Sequence, residues 1–254
     1  MIVVMSKQGY PDDRPWFAGV PPQATGLEDD YEGGLGSGAA RVAILDIDGT
    51  LVDSNYQHAI AWYRAFREHD VTLPLYRIHR HIGMGGDQLV GALTDPGFAD
   101  RTGDSVRKAE ARCYGELVHE VACFEGATSL LAALHDSGHR LVLATSARPS
   151  EAEHYLDLLN ARDLADAWTT AEDVQATKPK PDLVLAAMGK VRARHAVMVG
   201  DSTWDAKAAQ GAGIEAIGIL TGGFSEQELR ESGCTRVYQS VEHLLEHLDE
   251  LQLD

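Results

Sequence analysis

The chain is poor in cysteine, in basic charge and in long apolar runs, and each shortage excludes a class of protein. Its three cysteines, Cys113, Cys123 and Cys234, are odd in number and lack any CxxC spacing. That excludes a disulfide framework and a zinc knuckle, and it fits a reducing cytoplasm. No stretch approaches the ~18 apolar residues of a membrane span, and the opening Met1–Lys7 is too short an apolar run for a signal peptide. Lysine and arginine number 22 against 39 acidic residues, a formal net charge of -17. A polyanion needs a basic face, so neither nucleic acid nor an anionic membrane is expected as a partner. The expected location is cytoplasmic.

What is present suffices for a folded enzyme-sized body. Apolar residues make up 44% of 254 positions, enough for one large domain or for a core with a smaller second domain. Residues 1–40 stand apart. They hold Pro11, Pro15, Pro21 and Pro22, an acidic run from Glu28 to Glu32 and the Gly33–Gly38 stretch, with no apolar periodicity. This composition predicts a flexible tail.

From Arg41 the pattern becomes regular. Val42, Ile44 and Leu45 predict a buried strand. Ala59, Trp62, Tyr63 and Phe66, at spacings of three and four, then open an all-helical stretch over about 55–124 without a convincing strand. Beyond Phe124 helices and strands alternate. Strands are expected at Arg140–Ala144, near Ala167–Thr170, at Ala196–Val199 and at Glu215–Ile219, with helices at Glu151–Leu159, Asp182–Met188 and Thr203–Gln210. Strands spaced by helices of this length imply βαβ units and a mainly parallel sheet. The organisation predicted is a tail at 1–40, an α/β catalytic core at 41–54 and 125–254, and a helical cap at 55–124 inserted after the first strand.

The run Asp46-Ile-Asp48-Gly49-Thr50 sits where the first strand ends. By itself Asp-Gly after an apolar run also makes ordinary hairpin turns. Two carboxylates this close repel, which calls for a bound cation or for one carboxyl that keeps its proton. Three more segments meet the same sheet edge, where open α/β sheets bind ligands. Ala144-Thr145-Ser146 ends a strand, Thr177-Lys178-Pro-Lys180-Pro-Asp182 leads into a helix, and Gly200-Asp201-Ser-Thr-Trp-Asp205 ends another strand.

In this order the four segments resemble the motifs of the haloacid dehalogenase superfamily, in its phosphatase branch with a helical cap, similar to phosphoglycolate phosphatases and β-phosphoglucomutases. The resemblance covers about residues 41–225 and implies a Rossmann-like parallel core. It implies that Asp46 attacks phosphorus to form a phospho-aspartate, and that Asp48 serves as general acid and base. It further implies that Thr145 and Lys178 bind and neutralise the phosphoryl group, helped by main-chain N–H groups near Ile47, Gly49 and Ser146. Mg²⁺ is the implied ion, held by the Asp46 and Asp201 carboxylates and the Asp48 carbonyl, with Asp205 as a direct ligand or as a support behind them. Ser202-Thr-Trp-Asp205 also fits a capping box, and the two roles are compatible. Lys180 reads as a solvated lysine.

Asp48 argues against a haloacid dehalogenase proper, which resembles this chain elsewhere but lacks that acid, and against the ion-pumping ATPases, which carry Thr there. No lysine occurs between residues 51 and 107, which argues against a Schiff-base cap of the phosphonoacetaldehyde hydrolase type. A hexose-phosphate mutase of the β-phosphoglucomutase type stays open as an alternative, although no basic residue lies between Ile82 and Thr94 to grip a second phosphate. A non-catalytic phosphoryl-ligand binding or regulatory protein is the alternative of another class. Arg77, His79, Arg80 and His81 form a basic cluster that reads either as a solvated helix end or as an anion contact, and Met84 and Trp204 are candidate substrate-facing residues. The reading as a whole is a Mg²⁺-dependent phosphatase, monomer or homodimer, whose partner is a small phosphorylated metabolite.

Overall fold

Strand β1 (Val42–Leu45) is buried at every position, as a strand covered on both faces must be. In the computed structural model, which describes residues 42–250, its side chains alternate between two cores. Ala43 and Leu45 join Leu130, Leu131 and Tyr155 on one face, while Val42 and Ile44 join Val184, Ala187 and Ala209 on the other. The period of two in a strand fixes this division.

Five further strands complete a parallel sheet: β4 (Arg140–Ala144), β5 (Ala167–Thr169), β6 (Val197–Gly200), β7 (Glu215–Ile219) and β8 (Cys234–Tyr238). Their spatial order is β5-β4-β1-β6-β7-β8. Leu45 pairs with Leu143 of β4 on one side and with Val199 of β6 on the other. The chain thus builds outward from β1 in one direction and then in the other, the doubly wound arrangement whose switch point holds ligands at the carboxyl edge. The layers come from α5 (Ala127–Asp136) and α6 (Pro149–Leu158), and from α7 (Asp182–Lys190) and α8 (Thr203–Ala212). Two shorter helices, α9 (Glu226–Glu231) and α10 (Val241–Glu246), flank the last strand.

Between β1 and α5 the chain makes the helical insertion: α1 (Asn55–Glu68), α2 (Leu75–His79), α3 (Gly86–Leu93) and α4 (Pro96–Gly115). Pro at the first position of α4 costs no hydrogen bond, and the Asp95 side chain accepts from the Phe98 N–H at 2.9 Å. The insertion has its own apolar cluster, in which Trp62 and Phe66 of α1 meet Ile78, Leu89, Val90 and Val106.

The insertion leaves and rejoins the core through a two-stranded antiparallel ribbon, β2 (Val52–Asp53) with β3 (Ala122–Cys123). The expectation of no strand within 55–124 is corrected here. Two residues are too few to show any periodicity, and this strand exists through its partner. No helix among the described residues is long and apolar enough to cross a membrane. The tail expected at 1–40 lies outside the described residues.

Leu143, fully buried in β4, and Leu185, half exposed on α7, should answer truncation differently. Leu143→Ala is expected to cost about 2–5 kcal/mol and Leu185→Ala less than about 0.5 kcal/mol, both read from urea unfolding midpoints at constant slope.

Candidate active site

The carboxyl ends of β1, β4 and β6 bring Asp46, Thr145 and Asp201 to one edge, and the segment before α7 adds Lys178. Lys178 is buried, with its Nζ 2.6 Å from Asp46 Oδ1 and 2.8 Å from Asp205 Oδ1. Burial alone would lower its pKa, but the charges of Asp205 and Asp46 outweigh that and raise it. Asp46 moves up as well. Burial is the main cause, opposed by Lys178 and reinforced by Asp205, Asp201 and Asp48. Lys180, two residues on, is exposed.

Asp46, Asp201 and Asp205 form a buried group whose ligand oxygens lie within 4.8 Å of one another. Asp201 accepts from Thr50 Oγ1 at 2.8 Å and from Asn55 Nδ2 at 2.9 Å. Its pKa is nevertheless pushed up to about 7 by burial and by Asp205. Asp205 has both oxygens engaged, Oδ1 by Lys178 and Oδ2 by the N–H and hydroxyl of Ser202. The capping box at the start of α8 is therefore formed, by the same residue that anchors the lysine.

These residues fit a hard divalent cation. Every donor is an oxygen, one buried lysine faces three carboxylates, and Asp46 Oδ2 is buried without a hydrogen-bond partner. Two glycines keep the space beside Asp201 clear. A Cβ at Gly222 would lie 1.9 Å from Asp201 Oδ2, and one at Gly49, where φ is +74°, would lie 2.4 Å from it. Gly49 contributes that clearance rather than a donor, because its N–H is spent on the Val52 carbonyl at 2.8 Å.

Asp48 lies in a different setting from its neighbour. It accepts from Ser54 Oγ at 2.7 Å and Thr145 Oγ1 at 3.0 Å, and His58 Nε2 stands 3.3 Å from its Oδ1. Burial would raise its pKa, but these partners, His58 first, hold it well below the usual carboxylate range. Mutual repulsion therefore does not keep Asp48 protonated; donors surround it and favour its charge. The His58 ring is partly buried, stacks on Tyr114 at 3.7 Å between centroids, and places Nδ1 3.1 Å from Glu110 Oε1. Burial disfavours its cation, yet Asp48 and Glu110 push its pKa up to about 10. Glu110 in turn lies 3.3 Å from Arg148, which also pairs with Glu151.

Asn55, His58, Glu110, Arg148 and Arg107 all escape the sequence reading. Asn55 and His58 share the helix face of Ala59 and Trp62, so polar residues interrupting an apolar stripe were the available signal for two of them. Ser146 lines the cavity with its hydroxyl unpartnered, and Met84 lines it too. The basic cluster faces elsewhere. Arg80 lies 4.0 Å over the Phe224 ring and pairs with Glu228, His79 stacks on Tyr56, and His81 on Trp204. The Arg80 and His81 contacts fasten the insertion to the core. Trp204 packs there rather than in the cavity.

Among known proteins, the profile of haloacid dehalogenase-like hydrolases matches residues 40–213. The chain belongs to that family. Within it, this hydrolase stands with the helical-cap group of phosphoglycolate phosphatases and β-phosphoglucomutases. It is 32% identical to a phosphoglycolate phosphatase of Shigella dysenteriae, over 81% of this chain and 91% of the relative. It is 29% identical to the validoxylamine A 7'-phosphate phosphatase of Streptomyces hygroscopicus subsp. limoneus, over 71% and 86%. The crystal structure of a hydrolase from Pseudomonas syringae superposes with a TM-score of 0.78 at 34% identity, covering 83% of this chain and 99% of that one.

Removing the buried Lys178 cation leaves its acids uncompensated. Lys178→Met is expected to lower stability in metal-free buffer by about 3–5 kcal/mol, measured by urea denaturation against the parent.

Proposed function

We propose that this hydrolase is a Mg²⁺-dependent phosphatase that cleaves a small phosphomonoester through a phospho-aspartate at Asp46. The observation that carries this reading is the pairing of Lys178 with Asp46 at 2.6 Å beside the buried carboxylates of Asp201 and Asp205. A phosphomonoester dianion repels nucleophiles, so catalysis rests on positioning and charge neutralisation. Asp46, Asp201 and the Asp48 carbonyl would hold Mg²⁺, with Asp205 behind them fixing Lys178. Bound there, the ion neutralises charge on the nucleophile and the phosphoryl oxygens.

The chain's own groups carry the rest. Asp46 attacks phosphorus, Lys178 offsets the negative charge gathered there, and the Thr145 and Ser146 hydroxyls bond the phosphoryl oxygens. Asp48 passes to the leaving oxygen a proton drawn from the His58 cation 3.3 Å away, then takes a proton from the water that hydrolyses the aspartyl phosphate and returns it to His58. When Thr145 turns from Asp48 to the phosphoryl group, one donor that favours the charged carboxylate is withdrawn. His58 and Ser54 hold Asp48 in line throughout.

Residues 55–124 act as a cap over a core of 41–54 and 125–254, with hinges near Ser54 and Phe124–Gly126 beside the β2–β3 ribbon. Closure excludes water and brings α1 and α4 over the substrate. A mutase reading has one observation in its favour, since Arg107 of α4 lines the cavity. Its guanidinium is paired with Asp104, and the Ile82–Thr94 segment holds no cation to assist it, so hydrolysis is favoured.

Asp46→Asn and chelation of Mg²⁺ are each expected to abolish turnover of an aryl phosphate, followed by phosphate release. Metal-independent turnover by Asp46→Asn would sink the mechanism. His58→Asn is expected to lower kcat by about 10²–10⁴ with KM little changed. Offered a hexose 1-phosphate, the protein should release phosphate and form no isomer.

A further inference from the structure

We infer that the cavity is built for a phosphomonoester whose alcohol part is uncharged and rich in hydroxyls, and that it rejects substrates bearing a second anionic group. The inference rests on the phosphatase reading and concerns the end of the cavity away from Asp46. Besides Lys178, three cations line the cavity among the described residues: His58, Arg107 and Arg148. Each already has an acid. His58 stands between Asp48 and Glu110, Arg148 between Glu110 and Glu151, and Arg107 is bonded to Asp104 on its own helix. Asp87 adds a further carboxylate to the lining, and it accepts from the amide and hydroxyl of Thr177 and from Gln88 Nε2 at 2.7 Å.

No cation is therefore left over for a carboxylate or a second phosphate. An incoming anion would meet the charges of Asp87, Glu110 and Glu151 in a partly enclosed space, where repulsion is weakly screened. The same carboxylates only accept hydrogen bonds, so the groups that satisfy them are donors, and alcohol hydroxyls meet that need. The remaining wall is apolar, with Trp62, Ile82 and Val174, a surface suited to the carbon face of a ring. A volume of about 280 Å³ lies at the small end of small-molecule cavities, sized for one ring rather than for a nucleotide or an oligosaccharide.

The test compares matched esters that differ only in charge. With Mg²⁺ present, kcat/KM for 4-(hydroxymethyl)phenyl phosphate should exceed that for 4-carboxyphenyl phosphate by about tenfold or more. The open-chain pair sorbitol 6-phosphate and 6-phosphogluconate should rank the same way wherever either is turned over. Glu151→Gln keeps a side chain able to cap α6 while leaving Arg148 with Glu110 alone, and it should narrow the preference by about tenfold, with kcat/KM of the carboxylated ester rising. Equal or better turnover of the carboxylated aryl ester, with hydrolysis still dependent on Asp46, overturns the inference and leaves the phosphatase reading standing. Failure to hydrolyse either aryl ester, or hydrolysis that survives Asp46→Asn, overturns the phosphatase reading and this inference together.

Discussion

One buried lysine among three carboxylates organises this molecule. Lys178 has almost no exposed surface, and a cation in that position is tolerable only because Asp46 and Asp205 face it. Asp205 must then be held, which Ser202 does by capping α8, and Asp46 must sit at the end of β1, which burial of that strand on both faces enforces. Asp201 completes a set with more negative charge than one lysine can balance. The excess is the physical basis for the proposed divalent cation, and it leaves in Asp46 a carboxylate whose charge is settled by what binds next to it.

The second constraint is that the site is shared between core and insertion. Asn55 and His58 enter from α1 and contact Asp201 and Asp48, so the carboxylate proposed as the general acid is positioned by a helix of the insertion. Two clasps lie to either side. Asp87 accepts from Thr177, the residue before Lys178, and Arg80 spans to Phe224 and Glu228. The contacts that shape the site are thereby the ones that join the insertion to the core. A cap that lifts would take Asn55 and His58 with it, leaving Asp48 with Ser54 and Thr145 alone.

Much of this was legible in the chain and some was not, for physical reasons. Strands Arg140–Ala144 and Glu215–Ile219 were readable because they are short apolar runs with Gly or polar residues on either side, and the helices between them repeat at three and four. The four motifs were readable because each falls where an apolar run stops. The ribbon joining Val52–Asp53 to Ala122–Cys123 was not, since two-residue strands carry no period and their pairing spans the whole insertion. The edge strand Cys234–Tyr238 went unread for a related reason: its half-exposed middle breaks the apolar run. His58, Glu110 and Arg148 were illegible as a site because their meaning lies in one another, across 52 residues of separation between the first two. Gly49 was legible as a turn, but its service to Asp201 is steric and visible only in three dimensions.

The most direct measurement of the central claim is the stereochemical course at phosphorus, followed with a thiophosphate ester made chiral by oxygen isotopes and hydrolysed in labelled water. Attack by Asp46 followed by attack of water is two in-line displacements, and the account predicts net retention of configuration. Net inversion would mean that water attacks the ester directly, and that the carboxylate beside Lys178 never becomes bonded to phosphorus.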